Sequence, residues 1–289
     1  MLRTRVLTAI VLLALFVPCV ASDSNLPFAL LTLLLIACAA WEWARLNQLG
    51  ARAAWAAGVL TAIACAAGLA LGAAAPLALP SFLWWAVALG WLLIGAYLLH
   101  AGADAWTRLA RALRLALGVP MLGAAWLALL QAHAMGGNFL FSVLLLVWVA
   151  DILAYFCGRA FGGRVFARKL APAISPGKTW EGVLGAVFGV ALMALVWTRA
   201  DAHWAPISLS LYSHLVTRSL PLLLVAVVFL TATSVMGDLL ESLFKRAAGV
   251  KDSSHLLPGH GGVLDRIDAL LPTLPLAMLL VDLVQRGNV

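Results

Sequence analysis

The chain has 289 residues, 64% of them hydrophobic and only 11% charged, with a mean hydropathy of +1.02. A soluble domain carries about 25% charged residues, so the composition excludes one and points to a chain dissolved in a bilayer. The formal charge of +7 calls for no nucleic acid, because a basic cytoplasmic face is ordinary for a membrane protein and also attracts anionic lipid and nucleotide.

Nine apolar runs are long enough, or nearly so, to cross about 30 Å of hydrocarbon as helices. They lie near residues 5–21, 27–44, 53–75, 81–99, 115–132, 139–157, 182–198, 220–240 and 264–284. The fold class expected is therefore all-α, a polytopic integral membrane protein of about nine transmembrane helices. Arg3 and Arg5 ahead of the first run, with small residues around Ala21, resemble a signal peptide. The second run starts almost at once after SDSNLP, so the first is read as a retained span. The Ala-rich stretch Ala51–Ala75 reads as a closely packed span. Trp41, Trp43, Trp84, Trp85 and Trp180 sit near run ends, where indoles favour the headgroup zone. Cys19, Cys38, Cys65 and Cys157 form no C-x-x-C pair and read as small core residues.

A polar island follows the sixth run. It reads DILAYFCGRAFGG from Asp151, then SPGKTWEG from Ser175. Asp151 precedes the loop by about two helical turns and so lies within the end of the span. Ser175 and Pro176 read as a helix cap and first helical residue. Lys178 and Thr179 stand at the entrance to the seventh span, a good position for an anion.

The acids are more informative than the bases, because there are only twelve. Asp238 and Glu241 are three apart at the end of the eighth run, and Asp265 and Asp268 are three apart at the start of the ninth. Residues three apart share a helix face, so two antiparallel helices would present facing carboxylates at the membrane surface. Such groups are costly there unless paired or metal-bound. A hard divalent ion suits them, and Mg²⁺ takes one or two carboxylates plus substrate phosphates. Between the pairs lie Lys245, Arg246 and Lys251, cations for phosphate oxygens. Gly259, Gly261 and Gly262 would let backbone amides approach a phosphate and feed the start of the last span. Glu241 and Lys245 equally fit a plain i,i+4 pair, and His255 reads as a loop residue.

Counted on alternate sides of the spans, sixteen of the nineteen Lys and Arg fall on the side of the N-terminus. That places the N-terminus and the two long basic loops in the cytoplasm and the C-terminus outside. Residues 1–134 are expected to hold spans one to five. Residues 135–289 are expected to form a catalytic membrane region with two polar cytoplasmic loops.

The segment SLFKRAAGVKDSSHLLPGHGGVLDRID, from Ser242 to Asp268, resembles the signature of the phosphatidate cytidylyltransferase (CDP-diacylglycerol synthase) family. The matching positions are Ser242, Lys245, Arg246, Lys251, Asp252, His260, Gly261, Gly262, Asp265, Arg266 and Asp268. GDLLES at Gly237–Ser242, D-x-x-A-Y-F-x-G-R at Asp151–Arg159 and the S-P-x-K-T-x-E-G segment are also similar to the family. The motifs cover the second half of the chain, and the first four spans match in hydropathy only. Gly177 stands where the family pattern has a second lysine, one cation fewer.

The resemblance implies transfer of a cytidylyl group from CTP to phosphatidic acid, in the inner membrane of a bacterium and facing the cytoplasm. It implies Mg²⁺ held by Asp238 and Asp265, with K⁺ as a second cation. Asp268, Lys245 and Arg246 join those two acids as expected catalytic residues. Asp151, Ser175, Lys178, Thr179, Ser242, Lys251, Asp252, His260, Gly261, Gly262 and Arg266 are the expected substrate-binding set. A homodimer is the default assembly. Two alternatives stay open: a cytidylyltransferase for another lipid phosphate, and an ion-coupled transporter.

Overall fold

A computed structural model describes residues 2–73, 75 and 79–287. Among them the chain is helical with no strand beyond two isolated bridges. The helices are α1 (Leu2–Val20), α2 (Asn25–Leu46), α3 (Ala51–Ala70), α4 (Ser81–Leu89) and α5 (Gly95–Ala101), the last two joined by a π-helical turn at Gly90–Ile94. Then come α6 (Ala103–Arg108), α7 (Arg111–Ala134), α8 (Gly137–Phe161), α9 (Trp180–Trp204), α10 (Leu211–Val216), α11 (Leu220–Ala247), α12 (Leu264–Ile267) and α13 (Leu270–Gln285).

Nine stretches among the described residues are helical, long and apolar enough to cross a membrane, and each overlaps one of the nine runs. The last, Leu264–Gln285, is the most enclosed, with 61% of its apolar window buried, whereas the first has 0%. The ninth span is thus the hub and α1 lies at the rim. Caps mark where several helices start. Ser24 accepts from the Leu26 amide at 3.2 Å, and Ser219 from the Leu222 amide at 3.2 Å, with Pro221 pre-set for the first turn.

Three details differ from the hydropathy pattern. Span three ends at Ala70 and passes into a turn at 71–73; residue 74 of the predicted span lies outside the described residues. Hydropathy gives no sign of α10, which is six residues long and too short to span. Its Tyr212 hydroxyl donates to the Ser142 carbonyl at 2.9 Å, and the carboxylate of Asp201 gathers Ser210, Ser213 and Asn138 beside it. Finally, Ser175 does not cap α9. The chain makes a tight turn with Ala171 bridged to Ser175, and Thr179 caps the helix by accepting from the Gly182 amide at 3.1 Å.

Two glycine seams fix how the polar ends of the helices meet. α8 and α9 pack so closely that a Cβ on Gly185 would collide with the Cys157 Sγ, and one on Gly189 with the Leu153 Cδ1. α11 meets the last span at Gly237, where a Cβ would lie 2.5 Å from the Asp268 carbonyl oxygen. Small residues of this kind let helices approach when lipid supplies no hydrophobic force between them.

Candidate active site

The Gly237 contact brings Asp238 of α11 and Asp268 of the last span to one place. Around them opens a cavity of about 760 Å³. α8 contributes Asp151 and Arg159 to it, and the loop before α9 contributes Lys178 and Thr179. Asp238 and Lys245 reach it from α11, and Asp252, Asp265, Arg266 and Asp268 from the final loop and helix. Asp151, Asp238 and Asp268 lie within electrostatic reach of one another.

Lysines balance much of this charge. Lys178 forms an ion pair with Asp238. Lys245 pairs with Glu241 one turn away, and with Asp265 Oδ1 at 2.7 Å. The i,i+4 pair considered for Glu241 is therefore present, and Glu241 does not line the cavity. The other oxygen of Asp265 accepts from the Ser253 amide and hydroxyl, each at 2.9 Å, and from the Gly262 amide at 2.7 Å. Gly261 has a positive φ of 84°, and a Cβ there would stand 2.6 Å from that same oxygen. The glycine loop thus folds around a carboxylate of its own chain.

A second carboxylate holds the loop from behind. Glu42 of α2 is fully buried, at 0% exposure. It accepts from the amides of Val263 and Leu264 at 2.9 and 2.7 Å, and from the hydroxyls of Ser254 and Ser253 at 2.5 and 3.3 Å. Glu181 does the same for the other loop, with Oε1 accepting from the amides of Gly163, Val165 and Phe166 at 3.0–3.1 Å. At the rim, the Thr8 hydroxyl donates to the Pro258 carbonyl at 2.8 Å, so the start of α1 lies at the same end as the loop.

The family model described as "Cytidylyltransferase family" matches residues 3–284. The chain belongs to the cytidylyltransferase family. A protein of Pseudomonas aeruginosa named phosphatidate cytidylyltransferase is 39% identical over 280 residues, 95% of each chain. Proteins of the same name from Haemophilus influenzae and Staphylococcus epidermidis are 47% identical over 133 residues and 36% over 166. The first alignment covers 46% of this chain and 42% of that one, and the second 57% of each.

In this cytidylyltransferase the cavity gathers nine of the expected residues: Asp151, Lys178, Thr179, Asp238, Lys245, Asp252, Asp265, Arg266 and Asp268. Ser175, Ser242, Arg246, Lys251, His260, Gly261 and Gly262 do not line it. Arg246 and Lys251 are not cavity cations, and Lys251 is exposed to solvent. The amide of Gly262 faces Asp265 rather than open space, and the His260 carbonyl receives Arg266 Nη2 at 2.7 Å and Nε at 3.0 Å. Glu42 escapes sequence reasoning because it is one acid in an otherwise apolar run, and its only signal is that isolation between Trp41 and Trp43.

The donor set decides what kind of metal would fit. No group of three or more His, Cys, Asp or Glu is set to hold a metal among the described residues. Asp238 and Asp265 both line the cavity and offer hard carboxylate oxygens, the kind of donor that Mg²⁺ takes one or two of beside water and phosphate oxygens.

Proposed function

We propose that this cytidylyltransferase transfers the cytidylyl group of CTP to phosphatidic acid at the cytoplasmic face of a bacterial inner membrane. The carrying observation is the clustering of five aspartates with Lys178, Lys245 and Arg266 in one cavity of an apolar helical bundle. The name of the Pseudomonas aeruginosa relative supports the choice of substrate. Charge gathered at one end of the bundle is also unlike the midplane sites of transporters.

In the reaction, an oxygen of the lipid phosphate attacks the α-phosphorus of CTP. The bond from that phosphorus to the β-phosphate oxygen breaks, and pyrophosphate leaves with the electron pair. Little proton transfer is needed, because a phosphate monoester is largely ionised at neutral pH. The protein's task is then to position two anions and offset their repulsion. Asp238 and the Oδ1 atom of Asp265 would hold Mg²⁺, with Asp268 behind them, and K⁺ would serve as a second cation. The metal supplies charge neutralisation on the phosphate oxygens. Lys178 and Lys245 exchange a carboxylate for phosphate oxygens as the nucleotide enters, and Arg266 adds a fixed positive charge. Ser253, Gly262 and Glu42 keep the Asp265 carboxylate oriented.

Purified protein given labelled CTP, Mg²⁺ and phosphatidic acid should form a lipid-soluble cytidine product. No product with phosphatidic acid, but product with polyprenyl phosphate, would move the assignment to another lipid phosphate. Asp238→Asn should lower turnover by about 10²–10³-fold, the usual scale for losing one charge-stabilising group, with the protein still folded. Near-normal turnover in that variant removes Asp238 from the site.

A further inference from the structure

One stripe of α8 faces the cavity. Asp151, Ala154, Tyr155, Gly158 and Arg159 all line it, and their spacing of three and four puts them on one helix face. The stripe runs about 12 Å from Asp151 to Arg159 at 1.5 Å per residue. Asp151 stands inside the apolar span, near the acids of the reaction centre. Arg159 stands in the last turn, where the chain leaves the hydrocarbon.

Tyr155 belongs to two surfaces. It lines the cavity, yet it is 57% exposed beside Ile152 at 53% and Phe156 at 60%. The cavity wall therefore ends at a side chain that reaches the outside of the bundle. Arg159 Nη1 donates to the Tyr155 hydroxyl at 3.0 Å. The other cavity cations are engaged: Lys178 with Asp238, Lys245 with Glu241 and Asp265, Arg266 with the His260 carbonyl. Among the described residues, no carboxylate stands within ion-pair distance of Arg159. Ala154, Val183 and Val235 make the adjoining wall apolar.

We propose that Arg159, with Tyr155, is the subsite for the phosphate of the lipid substrate, distinct from the cations that receive the triphosphate. A guanidinium presents a planar fork to phosphate oxygens. The tyrosine hydroxyl accepts from that fork and donates its own proton to the phosphate. The acyl chains lie on the exposed face at Ile152 and Phe156, reached without leaving the bilayer. CTP comes from water and has no use for a lipid-exposed aromatic flank. The assignment rests on cytidylyl transfer to a lipid phosphate being the reaction.

The test is steady-state kinetics of the full chain in mixed micelles, varying phosphatidic acid and CTP independently. Arg159→Ala should raise KM for phosphatidic acid about tenfold, the scale of one charge-assisted hydrogen bond, with KM for CTP unchanged. Arg159→Lys should recover part of that loss, and Tyr155→Phe should show a smaller rise in the same constant. A rise in KM for CTP instead, an equal rise in both, or a fall in kcat alone would overturn the subsite. A wild-type protein that makes no lipid-soluble cytidine product defeats the proposed reaction itself, a separate outcome. Tyr155→Phe leaves the charge in place, so it remains informative even if the Arg159 variants fold poorly.

Discussion

Glu42 does not line the candidate active-site cavity, yet every atom it bonds is a donor within Ser253–Leu264, the segment that carries the glycine loop. Two of those donors are backbone amides that no side-chain change can remove. Glu42→Ala should orphan them at about 1–3 kcal/mol each, seen as a lower melting temperature in detergent and a fall in turnover. Glu42→Gln should be nearly as harmful, because its amide N–H₂ meets donors on all sides; a fully active, fully stable Gln variant would show that the charge is unnecessary. Gly177 is the converse case. A Cβ there meets nothing within 4 Å, and the residue lines the cavity without a positive φ. Gly177→Lys should therefore fold normally and lower KM for CTP by about two- to fivefold, since one exposed charge contact is worth under about 1 kcal/mol. An unchanged or higher KM would mean that position 177 does not face the nucleotide.

At the level of helices, the α8–α9 seam governs the shape of the cavity, because Asp151 and Lys178 sit on its two sides. Gly185→Leu would drive a side chain into Cys157. Overpacking of that kind costs about 1–3 kcal/mol, so the variant should melt earlier and lose activity although it changes no polar group. Unaltered melting would show that the seam can part freely. The spans themselves are legible in sequence, since each is a long, predominantly apolar run with few charges and lipid admits only helices there. α10 is not, because six residues give hydropathy no window. The cap of α9 is ambiguous for a related reason: Ser175-Pro176 and Thr179 both look like helix starts, and only the turn bridging Ala171 to Ser175 separates them. The cluster of acids is legible as a cluster. What the glycines of the last loop approach is not, because a positive φ tells that the backbone bends and not which group it bends around.

For the molecule as a whole, the structure places the start of α1 and the glycine loop at one end, in contact through Thr8 and Arg5. The proposed cytoplasmic placement of that end rests on the skewed distribution of Lys and Arg. With the four native cysteines replaced, a membrane-impermeant maleimide should label Ile207→Cys in intact spheroplasts and Arg168→Cys only after lysis. The reverse order would place the cavity on the outer side. Glu42 has a further consequence at this scale. It is separated from Val263 by 221 positions in the chain. As the ribosome extends the polypeptide, this carboxylate enters the membrane region early and waits without its natural donors until the final two spans are made. A nascent chain halted before Asp252 would lack every one of the donors that meet this carboxylate in the finished fold.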